Sequence, residues 1–120
     1  MSRTVMIVDD SLFMRKMLRG ILTEKGYIVA AEAGSGIETM RNLHASHPDI
    51  IMLDIILPDS NGLDLLESII SVCPDSKVVV CSSIGESQVI HKALDLGAKA
   101  YIQKPFTADK VAEVLESLEG

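Results

Sequence analysis

The sequence has no tryptophan, two phenylalanines and two tyrosines, so 3% of it is aromatic. Apolar residues make up 48% of the chain, and any core must therefore be built from aliphatic side chains. Cysteine is equally scarce. Cys73 and Cys81 make no convincing disulfide framework, and Cys81 stands in an apolar run where a buried thiol is expected. Both suit a reducing compartment. No apolar run approaches the length that spans a bilayer, and the start MSRTVMIVDD meets an acid pair before any signal-like stretch develops. Membrane insertion is not expected, and the cytoplasm is the expected location. Net positive charge is also missing. A net charge of −6 and a pI of about 4.9 argue against direct nucleic-acid binding through a general basic surface, though not against local basic patches. There is no internal repeat, low-complexity segment or long linker, and 120 residues suffice for one domain with its own core.

What is present is an alternation of two periodicities. Short apolar runs are expected as strands at Thr4–Val8, Ile28–Ala33, Ile50–Leu53, Lys77–Cys81 and Ala100–Ile102. Between them, apolar residues recur at helical spacing. Met14, Met17, Leu18, Ile21 and Leu22 form one stripe, with Arg15, Lys16 and Arg19 facing elsewhere. Ile37, Met40 and Leu43 form the second, and Leu63, Leu66, Ile69 and Ile70 the third. A fourth helix is expected from Ser87 to Leu96, and a fifth carries Val111, Val114, Leu115 and Leu118. Ser11 and Thr107 are candidate caps, Ser35 with Glu38 has capping-box spacing, and Gly26 and Gly97 are candidate stops. Five strand–helix units with right-handed crossovers imply a parallel sheet covered by helices on both faces, an α/β fold of (βα)5 type.

The chemistry gathers where strands end. Asp54 closes the run Ile50–Leu53, and Asp9 and Asp10 close Val5–Val8. A carboxylate is costly to bury unpaired, so these acids belong at the carboxyl edge of the sheet, where open α/β folds collect ligands. Three convergent carboxylates raise one another's pKa unless a cation sits among them, and a small hard ion such as Mg²⁺ answers that need. One of them is then available to attack a phosphoryl group. The competing reading is ordinary turn and cap duty, which acids at strand ends also perform. Ser82 follows the fourth strand and Lys104 the fifth, so a hydroxyl and an ammonium reach the same edge, both suited to phosphoryl oxygens. Singly, each also reads as a turn or solvated residue. Lys104 precedes Pro105, and its direction would be tightly defined by a cis bond. Tyr101 on a short edge strand reads as half-buried packing, and Phe106 as core or rim packing.

Together these residues resemble the receiver domains of bacterial two-component response regulators. The resemblance rests on Asp9-Asp10 after VMIV, Asp54 in IIMLD, the stretch LPDSNG, Ser82 after VVVC and Lys104-Pro105-Phe106, and it covers residues 4 to 119. It implies a flavodoxin-like three-layer sandwich with strand order 2-1-3-4-5. It makes Asp54 the phosphoacceptor, with Asp9, Asp10, Asp54 and the backbone carbonyl of Ile56 as Mg²⁺ ligands. Ser82 resembles the switch hydroxyl, Tyr101 the switch aromatic and Lys104 the phosphate-pairing lysine. Such domains take phosphate from a histidine kinase and lose it by slow self-catalysed hydrolysis, without being enzymes in the usual sense. Ile56 is apolar where many relatives are polar, which implies weaker attack by water or poorer access for a dephosphorylating partner (a phosphatase).

Because Met1 lies close to the first strand and nothing follows Gly120, a free-standing receiver spanning 1–120 is expected. The runs DDSLFMRKMLRGIL and GAKAYIQKPF are similar to receivers of the chemotaxis type. That implies a CheA-like kinase and a flagellar motor switch protein docking on the face of the fourth helix, fifth strand and fifth helix. The alternatives are a receiver cut from a longer regulator with transcriptional or enzymatic output, a phosphorelay intermediate, or a flavodoxin-like scaffold that takes no phosphate.

Overall fold

A computed structural model of the chain describes residues 3–119. Five strands alternate with five helices: β1 (Thr4–Val8), α1 (Leu12–Glu24), β2 (Ile28–Ala33), α2 (Gly36–Ser46), β3 (Ile50–Leu53), α3 (Gly62–Val72), β4 (Lys77–Ser82), α4 (Ser87–Leu96), β5 (Ala100–Gln103) and α5 (Ala108–Glu119). The strands form one parallel sheet in the order β2-β1-β3-β4-β5, so the expected 2-1-3-4-5 topology is the observed one. The fold is a flavodoxin-like (βα)5 sandwich.

Side chains alternate along each strand, and the two faces of the sheet consequently build separate cores. Val5, Ile7, Ile50, Met52, Val79 and Cys81 point to one face, where Leu18 and Leu22 of α1 and Val111 and Leu115 of α5 cover them. Met6, Val8, Ile51, Leu53, Val78 and Val80 point to the other, against Leu43 of α2, Leu66 and Ile69 of α3 and Ala93 of α4. A sheet covered on both sides explains why β3 reads as an unbroken apolar run: all four of its residues are buried.

The helix boundaries follow local chemistry. The Ser11 hydroxyl accepts from Met14 N–H to start α1, and Gly26 lies just beyond its end at φ 91°. Thr107 Oγ1 accepts from Lys110 N–H at the start of α5. Ser35 caps α2 by accepting from Glu38 N–H, but Glu38 reaches back to Gly34 N–H rather than to Ser35 itself. The return contact is thus displaced one residue from a capping box.

Several periodicity expectations need correction. Met17 of α1 is 36% exposed and Ile37 of α2 is 63% exposed, so neither belongs to a buried stripe. Thr39 of α2 is instead fully buried, as Leu43 is, and donates its hydroxyl to Ser35 O. On α3, Leu65 is buried and Leu63 only partly so. β4 and β5 each run one residue further than expected, because Ser82 still pairs with Gln103 in the ladder.

After β3, Ile56–Leu57 pairs with Ser60–Asn61 in a short antiparallel ladder that leads into α3. Gly62 allows this tight return: a Cβ there would lie 2.0 Å from the Ile55 carbonyl oxygen. Asn61 caps α3 by accepting from Leu63 N–H and Asp64 N–H. The Lys104–Pro105 peptide bond is cis.

Candidate functional site

Register places the acids. Val8 pairs with Leu53, so Asp9 and Asp54 are the next residues on neighbouring central strands. Both backbones are held beyond the ladder, Asp9 N–H by Ala33 O at 3.0 Å and Asp54 N–H by Val8 O at 2.9 Å. One carboxylate oxygen from each of Asp9, Asp10 and Asp54 lies within 4.8 Å of the other two. Asp9 and Asp54 are buried and Asp10 is exposed, so the cluster opens to solvent on one side.

Lys104 is drawn into the cluster. Its N–H is donated to Ser82 O at 2.8 Å, which extends the β4–β5 pairing and aims the side chain across the sheet edge. Its ammonium donates to Asp9 Oδ2 at 2.6 Å and to Asp54 Oδ2 at 2.9 Å. The remaining oxygens also have donors: Ser11 N–H on Asp9 Oδ1 and Ile56 N–H on Asp54 Oδ1, both at 2.9 Å. Burial opposes the lysine's charge and is the largest single influence on it. The hydrogen bonds and charges of Asp9 and Asp54 together outweigh burial, so its pKa rises above the ordinary value. One cation among three acids leaves the pocket short of positive charge. An all-carboxylate donor set of this spacing suits a hard divalent ion.

Ser82 is fully buried at the end of β4, and its hydroxyl accepts from Ile84 N–H at 3.3 Å. The Tyr101 hydroxyl donates to Ile84 O at 2.6 Å. Ile84 therefore ties the serine to the tyrosine. Burial raises the Tyr101 pKa, opposed by Ser82 and reinforced by the charges of Asp54 and Glu86. Ile56 follows two residues after Asp54 and is 48% exposed. An apolar hollow beside it is lined by Ile55, Ile56, Leu57, Leu63, Ile84 and Val89.

Three side chains that support this edge had no local signal in the sequence. Asp59 accepts from Gly36 N–H at 2.8 Å and Ile37 N–H at 3.1 Å, fastening the loop after β3 to the start of α2. Those two bonds, in that order, hold its pKa below the usual carboxylate value. Arg15 and Glu32 pair at the end of β2, and Arg15 also reaches the Asp9 backbone. Each partner lies on a different element, so only the folded chain reveals the pairing. Asp59 stood inside the quoted stretch LPDSNG and Arg15 inside DDSLFMRKMLRGIL, but neither stretch pointed to these partners.

A parallel (βα)5 sheet with acids from β1 and β3 and a lysine after β5 defines a class, the phosphate-accepting receivers, and the comparisons agree. Residues 5–116 match the family model described as the response regulator receiver domain, and the chain belongs to that family. It is 41% identical to the chemotaxis protein CheY of Thermotoga maritima over 98% of both chains. It is also 41% identical to CheY of Listeria monocytogenes, over 93% of this chain and 94% of that one. Among solved structures it is similar to the CheY of Borrelia burgdorferi in a complex with CheX, BeF3 and Mg²⁺. There the TM-score is 0.90 at 31% identity, covering 98% of this chain and 90% of the other. The chain is a CheY-like phosphoacceptor signalling switch, which undergoes self-catalysed phosphorylation and dephosphorylation rather than classical enzymatic turnover. Among the described residues, no helix is long and apolar enough to cross a membrane.

Proposed function

We propose that the chain acts over 1–120 as a single receiver domain in which Asp54 takes a phosphoryl group from a histidine kinase. The observation that supports this most is the pairing of a buried Asp54 with Lys104 inside a three-acid cluster that opens to solvent. An Asp54 carboxylate oxygen forms a bond to phosphorus as the P–N bond of a phosphohistidine breaks. The imidazole nitrogen keeps the electron pair. Asp9, Asp10, Asp54 and the backbone carbonyl of Ile56 would hold Mg²⁺, which when bound neutralises charge on the transferring oxygens. Lys104 turns its ammonium from the carboxylates to a phosphoryl oxygen, and the Ser82 hydroxyl donates to another. In dephosphorylation a water oxygen bonds to phosphorus and the Asp54 oxygen leaves with its electron pair. The exposed apolar side chain of Ile56 crowds that approach and slows it.

Ser82 leaves Ile84 N–H when it turns to the phosphate. The loop at Ser83–Gly85 then shifts, and Tyr101 loses its acceptor at Ile84 O. The face of α4, β5 and α5 changes with it, a population shift between two states. We assign a flagellar motor switch protein to that face and a CheA-like kinase as the phosphate source, on the strength of the similarity to CheY proteins. A dephosphorylating partner fits the same scheme, and the Borrelia burgdorferi CheY was itself solved bound to another protein, CheX.

Incubation with Mg²⁺ and acetyl phosphate followed by intact mass tests the chemistry. One added phosphoryl group, abolished by Asp54→Asn, is expected; an unmodified wild-type mass refutes the reading. Amide NMR shifts with BeF3 and Mg²⁺ test the route, and no change near Ile84 and Tyr101 would refute it.

A further inference from the structure

Asp10 is the one acid of the cluster that is exposed, so packing constrains its carboxylate little and the course of its backbone matters most for where it lies. That backbone is set by the Asp9–Asp10 peptide, whose carbonyl oxygen accepts from Arg15 Nη1 at 2.5 Å. Arg15 is in turn braced. Its Nε donates to Glu32 Oε1 at 3.1 Å, and the other Glu32 oxygen is held by Arg19, with Nη2 at 2.6 Å. The guanidinium lies over Gly34, where a Cβ would come within 3.2 Å of Nη1. The Arg15 side chain is 18% exposed, so it is a built contact between α1 and the end of β2 rather than a surface pair.

We propose that Arg15, braced by Glu32, is a positioning residue for the acid pair: it fixes the Asp9–Asp10 peptide plane and thereby sets the affinity of the cluster for a divalent cation. The inference rests on the reading of Asp9, Asp10 and Asp54 as that cation's ligands. The physical logic is that of groups behind a metal's ligands, whose loss loosens the ligand geometry without removing a ligand.

Coulombic and positional roles predict opposite signs here. A guanidinium bonded to the carbonyl of a ligand residue repels an incoming cation, so removing its charge should strengthen binding if charge alone matters. If Arg15 orients the peptide, removing it weakens binding instead. Raised salt separates the two further, because it screens the charge effect and leaves the orientational one.

The test is Mg²⁺ binding by calorimetry to wild type, Arg15→Met and Glu32→Gln, at low and high ionic strength, with the apo melting curve of each. Wild type that binds no Mg²⁺ sinks the underlying assignment of the acids, whatever the variants do. If wild type binds, Arg15→Met is expected to lose about tenfold in affinity at both salts while still melting cooperatively. The Asp10 amide resonance should broaden or move in the apo variant. Glu32→Gln is expected to lose less, and the double variant no more than Arg15→Met alone, because both act through one contact. Unchanged or tighter Mg²⁺ binding by folded Arg15→Met overturns the proposal. Should that variant not fold, wild-type affinity in Glu32→Gln overturns it, and a loss persisting at high salt supports it.

Discussion

Replacing Lys104 with methionine keeps most of the side chain's length and removes its charge. The ammonium is the hydrogen-bond partner of one oxygen each of Asp9 and Asp54, whose side chains are 3% and 8% exposed. Taking one partner from a buried ion pair leaves the other charge uncompensated, typically about 3–5 kcal/mol. Two offsets apply. Burial of the lysine itself is relieved, and the pocket is open at Asp10, so water can reach the orphaned oxygens. The lower end, about 3 kcal/mol, is therefore expected, which for a domain of this size lowers Tm by roughly 10 °C. The raised lysine pKa fixes the pH window. The pairing contributes fully below the unfolded value of 10.5 and is lost only as pH rises through the higher folded value. The gap between wild type and Lys104→Met should thus persist across the neutral range. Mg²⁺ must compete with the ammonium in wild type but not in the variant, so its stabilising shift should be larger in Lys104→Met. Thermal melts by circular dichroism, in chelator and in Mg²⁺, measure both effects. A variant that melts at or above wild type in chelator, or that gains no more from Mg²⁺ than wild type does, would refute the reasoning.

Other expectations follow from single contacts. The depressed pKa of Asp59 means that its hold on α2 is present above the unfolded value of 3.8 and lost as pH falls through the lower folded one. The amide shifts of Gly36 and Ile37 should therefore change with a midpoint below 3.8, and a midpoint at or above it would contradict the latch. Burial pushes the Cys81 thiol up to about 12, so iodoacetamide should label it only after unfolding; rapid labelling of the native protein would show an open strand. Gly62→Ala drives a Cβ into the Ile55 backbone and should cost about 1–3 kcal/mol or more in urea denaturation. Gly20→Ala, in α1 with nothing within 4 Å of the new atom, should instead stabilise by about 0.5–1 kcal/mol.

The amino-acid order alone determined which segments become strands and helices and at which end of the sheet the acids emerge. Apolar period and cap chemistry are properties of neighbours in the chain, so Ser11, Ser35, Gly26 and Gly97 mark the boundaries where they stand. The side of each helix that is buried was less legible. Met17 and Ile37 continue their stripes in sequence yet face solvent, because burial depends on how far the sheet and the neighbouring helices reach. Contacts spanning the fold were legible least of all. Lys104 reads as a phosphate-facing lysine, but in the structure its ammonium rests on Asp9 and Asp54, 95 and 50 residues away. Arg15 reads as an outward charge and instead holds the Asp9 carbonyl, while Asp59 fastens the loop after β3 to α2. Those pairings required the tertiary structure, because a hydrogen bond is decided within about 3 Å, and only sheet register and helix docking bring distant residues that close.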